Sequence, residues 1–372
     1  MKGKTVFVGL SGGVDSAVSA TLLKKQGYKV VGVFIKTWHP DFLECNEEEE
    51  RRDAMRVSAF LDIPFLTFDL EDVYKKEVAD YMIREYKAGR TPNPDVMCNK
   101  EVKFGAFLKK ALAMGADFVA TGHYASLRKY SKNSSLYPQV GSDTDSFLLH
   151  LLRNKDPSKD QSYFLWTLDQ KQLSKIIFPI GNFKKTEVRK LAKKFDLPVA
   201  GKKDSQGICF LGAVDLKEFL KHYIKEKRGK VINEKGEVMG YHDGAVFHTL
   251  GERHGFTITK KGPNDSRYYI INKDIKKNIL VASQDKNYFT TVYRSNLLAI
   301  NLENTNWIAE IPKADKNYTA QIRYHGEFLP CQVKILPKNK AEVIFSKPTM
   351  VASGQSIVIY DNDVCLGGGV VV

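Results

Sequence analysis

The chain has 372 residues, of which 57 are Lys or Arg and 43 are Asp or Glu, so its formal net charge is +14. This length exceeds one ordinary hydrophobic core and predicts two or three domains. A composition of 43% hydrophobic and 27% charged residues excludes a wholly disordered chain. The sequence has neither an apolar run of membrane-spanning length nor a secretory leader pattern, so we expect a cytoplasmic protein without a membrane partner.

The first part of the chain alternates between strand-like and helix-like patterns. Short apolar runs predict strands at 4–10, 29–38, 65–70 and 116–123, and the segments between them predict helices at 15–25, 46–61, 72–88 and 100–114. Such alternation is typical of parallel crossovers, so we predict an α/β fold with a doubly wound parallel sheet. Ligands bind at the carboxyl ends of the strands in such sheets, here near 9–16 and 121–123.

The remainder of the chain has a different sequence pattern. Residues 131–146 are polar and turn-rich, which is typical of an excursion from the sheet, and residues 169–227 follow a helical, basic pattern. Beyond about residue 230, Gly-containing turns separate short runs of strand length. This pattern predicts a small β-barrel or sandwich at the end of the chain.

The excess positive charge is concentrated in the middle of the chain. Residues 151–290 hold 28 basic and 16 acidic side chains, whereas residues 1–150 and 291–372 each have a net charge of +1. A basic block of this kind attracts polyphosphate backbones, most commonly nucleic acid. A Lys-rich solvated surface would have the same composition.

A Gly-rich loop separates the first predicted strand from the first predicted helix. It consists of Gly9, Leu10, Ser11, Gly12, Gly13, Val14, Asp15 and Ser16. Glycines let the backbone present N–H groups to an anion, and the helix N-terminus adds positive potential. The loop matches neither the Walker pattern nor G-x-G-x-x-G. A structural turn is the alternative, but the strand–turn–helix context favours a pyrophosphate site.

Five cysteines, at positions 45, 98, 209, 331 and 365, do not form the pattern of a disulfide framework, and no C-x₂-C pair predicts a metal site. Cys98 stands just before a predicted helix, whose N-terminus would favour a thiolate, and Cys209 follows two lysines and a glycine. Cys331 and Cys365 lie in apolar runs and are expected to be buried, while Cys45 has no supporting context. A lone cysteine is usually structural, but two in polar, turn-rich segments favour a function.

Five motifs together resemble a known family. GLSGGVDS alone resembles the loop of N-type ATP pyrophosphatases, and it leaves several substrates open. The set GLSGGVDS, TPNPDVMCNKEVKF, ATGHYA, KDQSYFLW and DSQGICF resembles the bacterial tRNA-specific 2-thiouridylases over essentially the whole chain. The resemblance implies an adenine nucleotide alpha hydrolase-like sheet in an ATP-pyrophosphatase domain with a basic helical extension (1–215). A central tRNA-binding domain (216–288) and a C-terminal β-barrel (289–372) would follow.

The resemblance also implies an activity, an ATP-dependent tRNA-uridine 2-sulfurtransferase. Such an enzyme adenylates O2 of the wobble uridine and then transfers sulfur from a cysteine persulfide to C2. ATP is then the cofactor, with Mg²⁺ bound to its phosphates and no metal held by the protein alone. The implied partners are the anticodon stem-loop of a tRNA and a persulfide-donating sulfur carrier protein, and we expect a monomer.

Individual residues receive roles from the same resemblance. Cys209 would carry the persulfide and Cys98 would resolve it, leaving a Cys98–Cys209 disulfide, with Asp95 as an acid or base. Gly9 to Ser16 would hold ATP, with Ile35 and Gly122 near the adenosine; Ile35 replaces a methionine common in the family, so only a backbone contact would be kept there. The implied tRNA contacts are Asn93, Pro94 and Asp95 at the target base, and His123, Lys159, Asp160, Gln161, Arg323, Tyr324 and Gln355.

The residues taken by themselves leave alternatives open. His123 could cap a strand, Asp160 could cap a helix, and Arg323 and Tyr324 could be an ordinary strand pair. A small-molecule ligase of the ATP-pyrophosphatase type would give Cys98 and Cys209 no role and would leave the basic segment unexplained. A non-catalytic tRNA-binding protein would have no use for an intact loop and both cysteines.

Overall fold

The computed structural model describes residues 3–43, 46–131, 147–204, 209, 215–262, 265–285 and 298–372. Cys45 and nearly all of the predicted excursion at 131–146 lie outside these residues. Among the helices of the described ranges, none combines the length and the apolar character that crossing a membrane requires.

Five parallel strands form the N-terminal sheet, in the order β3-β2-β1-β4-β7. They are β1 (Thr5–Gly9), β2 (Lys29–Lys36), β3 (Phe65–Asp69), β4 (Phe118–Ala120) and β7 (Ile176–Ile177). The central strands are apolar because helices cover both faces of the sheet. The predicted α/β fold with a doubly wound parallel sheet is confirmed. Since β2 and β4 flank β1, the crevice for a ligand opens beyond the carboxyl ends of β1 and β4.

The helices connect and cover these strands. They are α1 (Val14–Lys25), α2 (Glu47–Phe60), α3 (Glu71–Tyr74), α4 (Asp80–Lys87), α5 (Pro94–Met97), α6 (Leu108–Ala113), α7 (Gln170–Leu173), α8 (Lys185–Lys194) and α9 (Leu216–Lys221). A π-helical segment, Lys75–Ala79, joins α3 to α4, and a longer one, Cys98–Phe107, joins α5 to α6. The helix expected at 100–114 therefore begins at Pro94.

The helical pattern predicted over 169–227 is only partly correct. In the described part of that range α7, α8 and α9 occur, but the fifth strand of the parallel sheet, β7, lies between α7 and α8. This strand pairs with β4, with Val119 opposite Ile176. A strand of two residues is too short to give a periodic hydrophobic pattern in the sequence. It is recognised only by its pairing with β4.

The central part of the chain forms a second, smaller sheet in the order β10-β9-β8-β12-β11. Its strands are β8 (Gly229–Ile232), β9 (Val238–His242), β10 (Phe256–Ile258), β11 (Tyr269–Asp274) and β12 (Ile279–Ser283). A small core of its own, including Val231, Ile270 and Leu280, holds this sheet together.

Six antiparallel strands close into a barrel at the end of the chain, because β13 pairs with both β16 and β18. They are β13 (Ala299–Trp307), β14 (Tyr318–Gln321), β15 (Phe328–Leu336), β16 (Lys340–Phe345), β17 (Ser356–Asp361) and β18 (Val364–Val371). The predicted C-terminal β-barrel is confirmed. Cys331 and Cys365 are buried in it, at 4% and 1% exposure.

A hairpin from the first part of the chain extends the barrel sheet. It consists of β5 (Ser126–Ser131) and β6 (Phe147–Leu152), and β6 pairs with β18, with Leu152 opposite Val364. The largest hydrophobic core accordingly contains residues of both the N-terminal sheet and the barrel, such as Val119 and Tyr360. The boundaries 1–215, 216–288 and 289–372 remain a proposal.

Candidate active site

The Gly-rich loop follows β1 and leads directly into α1. Gly12 has φ +67°, and a Cβ there would lie 2.4 Å from the carbonyl oxygen of Glu50, so the turn requires glycine. The Ser16 hydroxyl donates to the carbonyl oxygen of Gly13 at 3.2 Å and accepts from the N–H of Ser11 at 3.3 Å. The loop is therefore fixed in a shape that presents the N-terminal N–H groups of α1 to an anion.

Gly122 brings the segment after β4 into contact with this loop. A Cβ at Gly122 would lie 2.9 Å from both the carbonyl carbon of Asp15 and the nitrogen of Ser16. Only glycine allows the two backbones to approach so closely.

A cleft of about 1190 Å³ opens above the loop. Pockets for one small molecule are typically about 300–1,000 Å³, so the cleft has room for a nucleotide and part of a second substrate. The predicted site residues that line it are Gly9, Leu10, Ser11, Gly13, Val14, Asp15, Ser16, Ile35, Asp95, Gly122, His123, Lys159, Gln161, Cys209 and Tyr324. Those that do not line it are Gly12, Asn93, Pro94, Cys98, Asp160, Arg323 and Gln355.

Cys209 lines the cleft, and Cys98 is buried directly against it. Their sulfur atoms are 3.4 Å apart, and the Cys98 thiol donates to the Cys209 sulfur. Both thiols are free. Although 111 positions separate them in the sequence, the fold brings them within reach of each other.

The two sulfurs have opposite electrostatic environments. The hydrogen bond from Cys98 and the charge of Lys103 lower the pKa of Cys209 despite burial. Burial and the neighbouring Cys209 raise the pKa of Cys98 well above its usual range. The prediction that a helix N-terminus favours a Cys98 thiolate is wrong, because the helix starts at Pro94 and Cys98 is fully buried within it. Cys209 is the better nucleophile of the pair.

Two hydrogen bonds hold the backbone of Cys209. Its N–H donates to Oδ1 of Asp95 at 2.9 Å, and its carbonyl oxygen accepts from the Tyr74 hydroxyl at 2.7 Å. Burial raises the pKa of Asp95, although the Cys209 N–H and Lys103 oppose the shift. The carboxyl group is thus placed beside the cysteine pair and is easier to protonate than an exposed aspartate.

A network of ion pairs fixes the wall of the cleft beside the loop. Lys185 Nζ lies 2.8 Å from Asp15 Oδ1 and 2.9 Å from Asp204 Oδ1, and Lys159 lies 3.2 Å from Asp204. Burial alone would raise the pKa of Asp204, but hydrogen bonds from Lys185, Lys159 and Arg189 lower it to about 2. The network ties the loop to the segment that precedes Cys209.

His123 lies in the floor of the cleft as a neutral imidazole. It is 6% exposed, and its Nδ1 lies 2.7 Å from the Thr121 hydroxyl. Burial and the positive charge of Lys103 lower the pKa of His123 well below its usual range. The uncharged ring can therefore donate a hydrogen bond to a ligand or accept one from it.

Several predicted tRNA contacts have partners within the protein. Asp160 accepts from the N–H groups of Asn154 and Ser162, each at 3.1 Å, but the N-cap of the 3₁₀-helix that follows is Gln161, so the capping alternative for Asp160 is wrong. Gln355 Nε2 donates to the carbonyl oxygen of Thr91 at 2.9 Å, and Asn93 Oδ1 accepts from the N–H of Ser356 at 2.8 Å. These last two contacts brace the segment before Cys98 against the barrel.

Arg323 and Tyr324 lie in a turn after β14, so the alternative of an ordinary strand pair is wrong. The Tyr324 ring packs against Phe164, with centroids 4.3 Å apart, and against His325 at 3.9 Å. All three rings line the cleft and form an aromatic wall.

Within the part of the chain that the structure describes, no three or more His, Cys, Asp and Glu side chains form a group that could hold a metal ion.

Three family models together match most of the chain. Residues 4–213 match a tRNA methyl transferase HUP domain, residues 217–284 a tRNA methyl transferase PRC-barrel domain, and residues 298–371 an aminomethyltransferase β-barrel domain. A tRNA-specific 2-thiouridylase MnmA of Geobacillus thermodenitrificans is 43% identical over 98% of this chain and 94% of its own length. One of Listeria monocytogenes is 44% identical over the same shares. The chain belongs to the tRNA-specific 2-thiouridylase family. Membership confirms the resemblance drawn from the five motifs and makes the protein an enzyme.

Solved structures are more distant. A 4-thiouridine synthetase bound to RNA and ATP is 21% identical, with 59% of this chain and 50% of that chain covered and a TM-score of 0.34. The NMN synthetase of Francisella tularensis is 19% identical, with 55% and 67% covered and a TM-score of 0.33. At these scores neither structure bears on the site.

Reasoning from the sequence missed two residues of this thiouridylase-family site, Tyr74 and Lys103. Tyr74 is a buried tyrosine without any motif around it. Its part in the site is recognised only from its hydrogen bond to the Cys209 carbonyl oxygen in the structure. Lys103 was predictable from its spacing. Asp95, Asn99 and Lys103 are four residues apart and therefore share one face of a helix.

Proposed function

We propose that the protein converts the wobble uridine of tRNA to 2-thiouridine in two half-reactions within this cleft. ATP first adenylates O2 of the uridine, and a Cys209 persulfide then delivers sulfur to C2. The pairing of Cys98 with Cys209 at 3.4 Å, beside a cleft that also contains the Gly-rich loop, carries the proposal. The names of the relatives, tRNA-specific 2-thiouridylases, support the product of the reaction but not its steps.

The loop and its surroundings fit ATP. The N–H groups at the start of α1 and the hydroxyls of Ser11 and Ser16 would bind phosphate oxygens, and the close approach of Gly122 shapes this cradle. Ile35, at the end of β2, lines the same cleft and would lie near the adenosine. Mg²⁺ bound with ATP would neutralise phosphate charge. O2 of the uridine attacks the α-phosphorus and pyrophosphate leaves, so the O2 atom becomes part of a good leaving group.

Sulfur reaches the protein by exchange with a persulfide donor. The Cys209 thiolate attacks the terminal sulfur of the donor, a new S–S bond forms on Cys209, and the donor leaves as a thiolate. The lowered pKa of Cys209, caused by the Cys98 hydrogen bond and by Lys103, suits it to this attack. We propose that the donor is a sulfur carrier protein.

Transfer to the tRNA then requires both cysteines. The terminal persulfide sulfur attacks C2, the C2–O2 bond breaks, and AMP leaves with O2. Cys98 loses its proton and attacks the Cys209 sulfur, which breaks the bond to the transferred sulfur and leaves it on C2 as the thiocarbonyl. The product on the protein is a Cys98–Cys209 disulfide, which a dithiol reductant returns to two thiols. We propose that Asp95, which accepts from the Cys209 N–H and interacts electrostatically with Cys98, takes the Cys98 proton.

Two features of the protein would bind the tRNA. The basic segment 151–290 attracts the phosphate backbone, and the aromatic wall of Phe164, Tyr324 and His325 offers a stacking surface to a base removed from the anticodon stack. Among the remaining implied tRNA contacts, His123, Lys159 and Gln161 also line the cleft. We propose that the protein acts as a cytoplasmic monomer.

Mass spectrometry of the tRNA product tests this function. The protein is incubated with ATP, Mg²⁺, glutathione persulfide and unmodified tRNA, and the digested tRNA is analysed for 2-thiouridine. We expect 2-thiouridine that depends on ATP and on Cys209, with Cys331→Ala as a matched control because Cys331 lies in the barrel core. Pyrophosphate release with a small amide acceptor, without any thiolation of tRNA, would contradict the proposal and favour a small-molecule ligase.

A further inference from the structure

One face of the helix that begins at Pro94 is directed at the cysteine end of the cleft. Asp95, Asn99 and Lys103 line the cleft at intervals of four residues. The segment Cys98–Phe107 is π-helical, with hydrogen bonds between residues five apart, so Lys103 returns to the side of the helix that carries Cys98. A Cβ at Gly105 would lie 2.8 Å from the carbonyl oxygen of Lys100, which shows how tightly this wide turn is packed.

Lys103 brings a positive charge to the cysteine pair. Its ammonium group hydrogen-bonds the Cys209 sulfur and also interacts with Cys98 and Asp95. Burial alone would lower the pKa of Lys103, but the two sulfurs and Asp95 outweigh burial and raise it. The side chain therefore keeps its charge where the charge can act on sulfur.

The other lysines of the cleft that form ion pairs have different tasks. Lys185 is held between Asp15 and Asp204, and Lys159 lies against Asp204. These pairs are at the loop end of the cleft, whereas Lys103 is at the sulfur end. Because an ion pair between surface groups is weak and a desolvated one is strong, an ammonium group inside the cleft has a large effect on a neighbouring thiol.

We propose that Lys103 is a catalytic residue that stabilises negative charge on sulfur at Cys209, on Sγ of the thiolate that accepts sulfur and on the outer sulfur of the persulfide that donates it. The persulfide role rests on the proposed function, but the thiolate role does not. In sulfur acceptance the ammonium group stabilises the attacking thiolate. In sulfur donation it stabilises the negative charge of the outer persulfide sulfur.

The pH dependence of Cys209 alkylation tests the assignment. Iodoacetamide modification of the Cys209 peptide is followed by mass spectrometry between pH 5 and 10, without ATP, tRNA or a sulfur donor. We expect Lys103→Met to raise the midpoint pH by about one unit or more, which is roughly a tenfold loss of thiolate at pH below the midpoint. Lys103→Arg, which keeps the charge, should stay near the wild type.

Lys109→Met is the matched control, because Lys109 is exposed in α6, which continues the helix of Lys103, and lies outside the cleft. Circular dichroism checks that each variant is folded, and Lys103→Gln replaces Lys103→Met if the latter does not fold. An alkylation profile of folded Lys103→Met or Lys103→Gln that overlays the wild type would overturn the proposal. That failure is distinct from a failure of the proposed function, because the assay involves no tRNA and no sulfur transfer.

Discussion

The backbone N–H of Cys209 donates a 2.9 Å hydrogen bond to Oδ1 of Asp95, and this bond joins two segments that are 114 positions apart. Asp95 lies in the first turn of the helix that also carries Cys98. One carboxylate therefore positions Cys209 and interacts with Cys98, the thiol that loses a proton in the proposed transfer. The two tasks can be separated by mutation.

Asp95→Asn should separate placement from proton transfer. An asparagine oxygen can still accept from the Cys209 N–H, but an amide cannot take a proton from Cys98. We expect Cys209 alkylation at least as fast as in the wild type, because the Asp95 charge raises the pKa of Cys209, and a single-turnover thiolation rate reduced about 10²–10⁴-fold, the usual contribution of a general base. Asp95→Ala should lose both properties. Thiolation by Asp95→Asn at the wild-type rate would exclude the proton-transfer role.

Mild oxidation should join Cys98 to Cys209 and leave the barrel cysteines reduced. The two sulfurs are already in contact at 3.4 Å, while Cys331 and Cys365 are buried elsewhere. Peptide mapping after treatment with a dithiol-specific oxidant measures the linkage, and Cys98→Ala serves as the control without a partner. Recovery of Cys98 and Cys209 as separate alkylated peptides from the oxidised protein would contradict the geometry.

Gly122→Ala should weaken ATP binding without unfolding the protein. The added methyl would lie 2.9 Å from backbone atoms of Asp15 and Ser16, so the loop must move. A displacement of about 1 Å at a reacting group can cost roughly 100-fold in rate, and we expect pyrophosphate release to fall on that scale. Gly201→Ala is the control, because nothing lies within 4 Å of a Cβ there. Equal pyrophosphate release by both variants would show that the loop tolerates the methyl.

Acid should destabilise the protein partly through His242. Burial and the neighbouring His248 lower the pKa of His242 to about 4 from an ordinary value of 6.5. Between these values the unfolded chain binds a proton that the folded chain does not, so stability present above pH 6.5 is lost as the pH falls toward 4.

His242→Asn should flatten this dependence. The asparagine oxygen can replace Nδ1 as the acceptor of the Gly244 N–H, a 3.0 Å bond, but it does not titrate. Urea unfolding of wild type and variant at pH 4.5 and 7 measures the difference, with the exposed His254→Asn as the control. The same loss of stability on acidification in all three proteins would show that His242 does not contribute.

Much of the fold was predictable because its elements are encoded locally. Strands β1, β2 and β3 are apolar runs of five to eight residues, and each is followed by a helical pattern. The hairpin β5–β6 was not predicted, because its barrel partner, β18, lies more than 200 positions later. Pairing over such a distance leaves no local pattern.

The candidate site was predictable to the extent that it consists of motifs. The loop and Gly122 come together at the strand ends as expected. The environment of Cys98 was mistaken, although Pro94 gave a signal for an earlier helix start, since proline is favoured in the first turn. The roles of Tyr74 and Lys103 depend on where Cys209 lies in space, which no spacing in the sequence encodes.

Trapping of a tRNA on Cys209 tests the central claim most directly. Cys98→Ala protein is given ATP, Mg²⁺, tRNA and one equivalent of glutathione persulfide, then digested with nuclease and protease and analysed by mass spectrometry. The two-cysteine mechanism predicts a Cys209 peptide joined through a disulfide to 2-thiouridylate, absent with Cys209→Ser and released by dithiothreitol. Full formation of free 2-thiouridine by Cys98→Ala, with no such adduct, would contradict it.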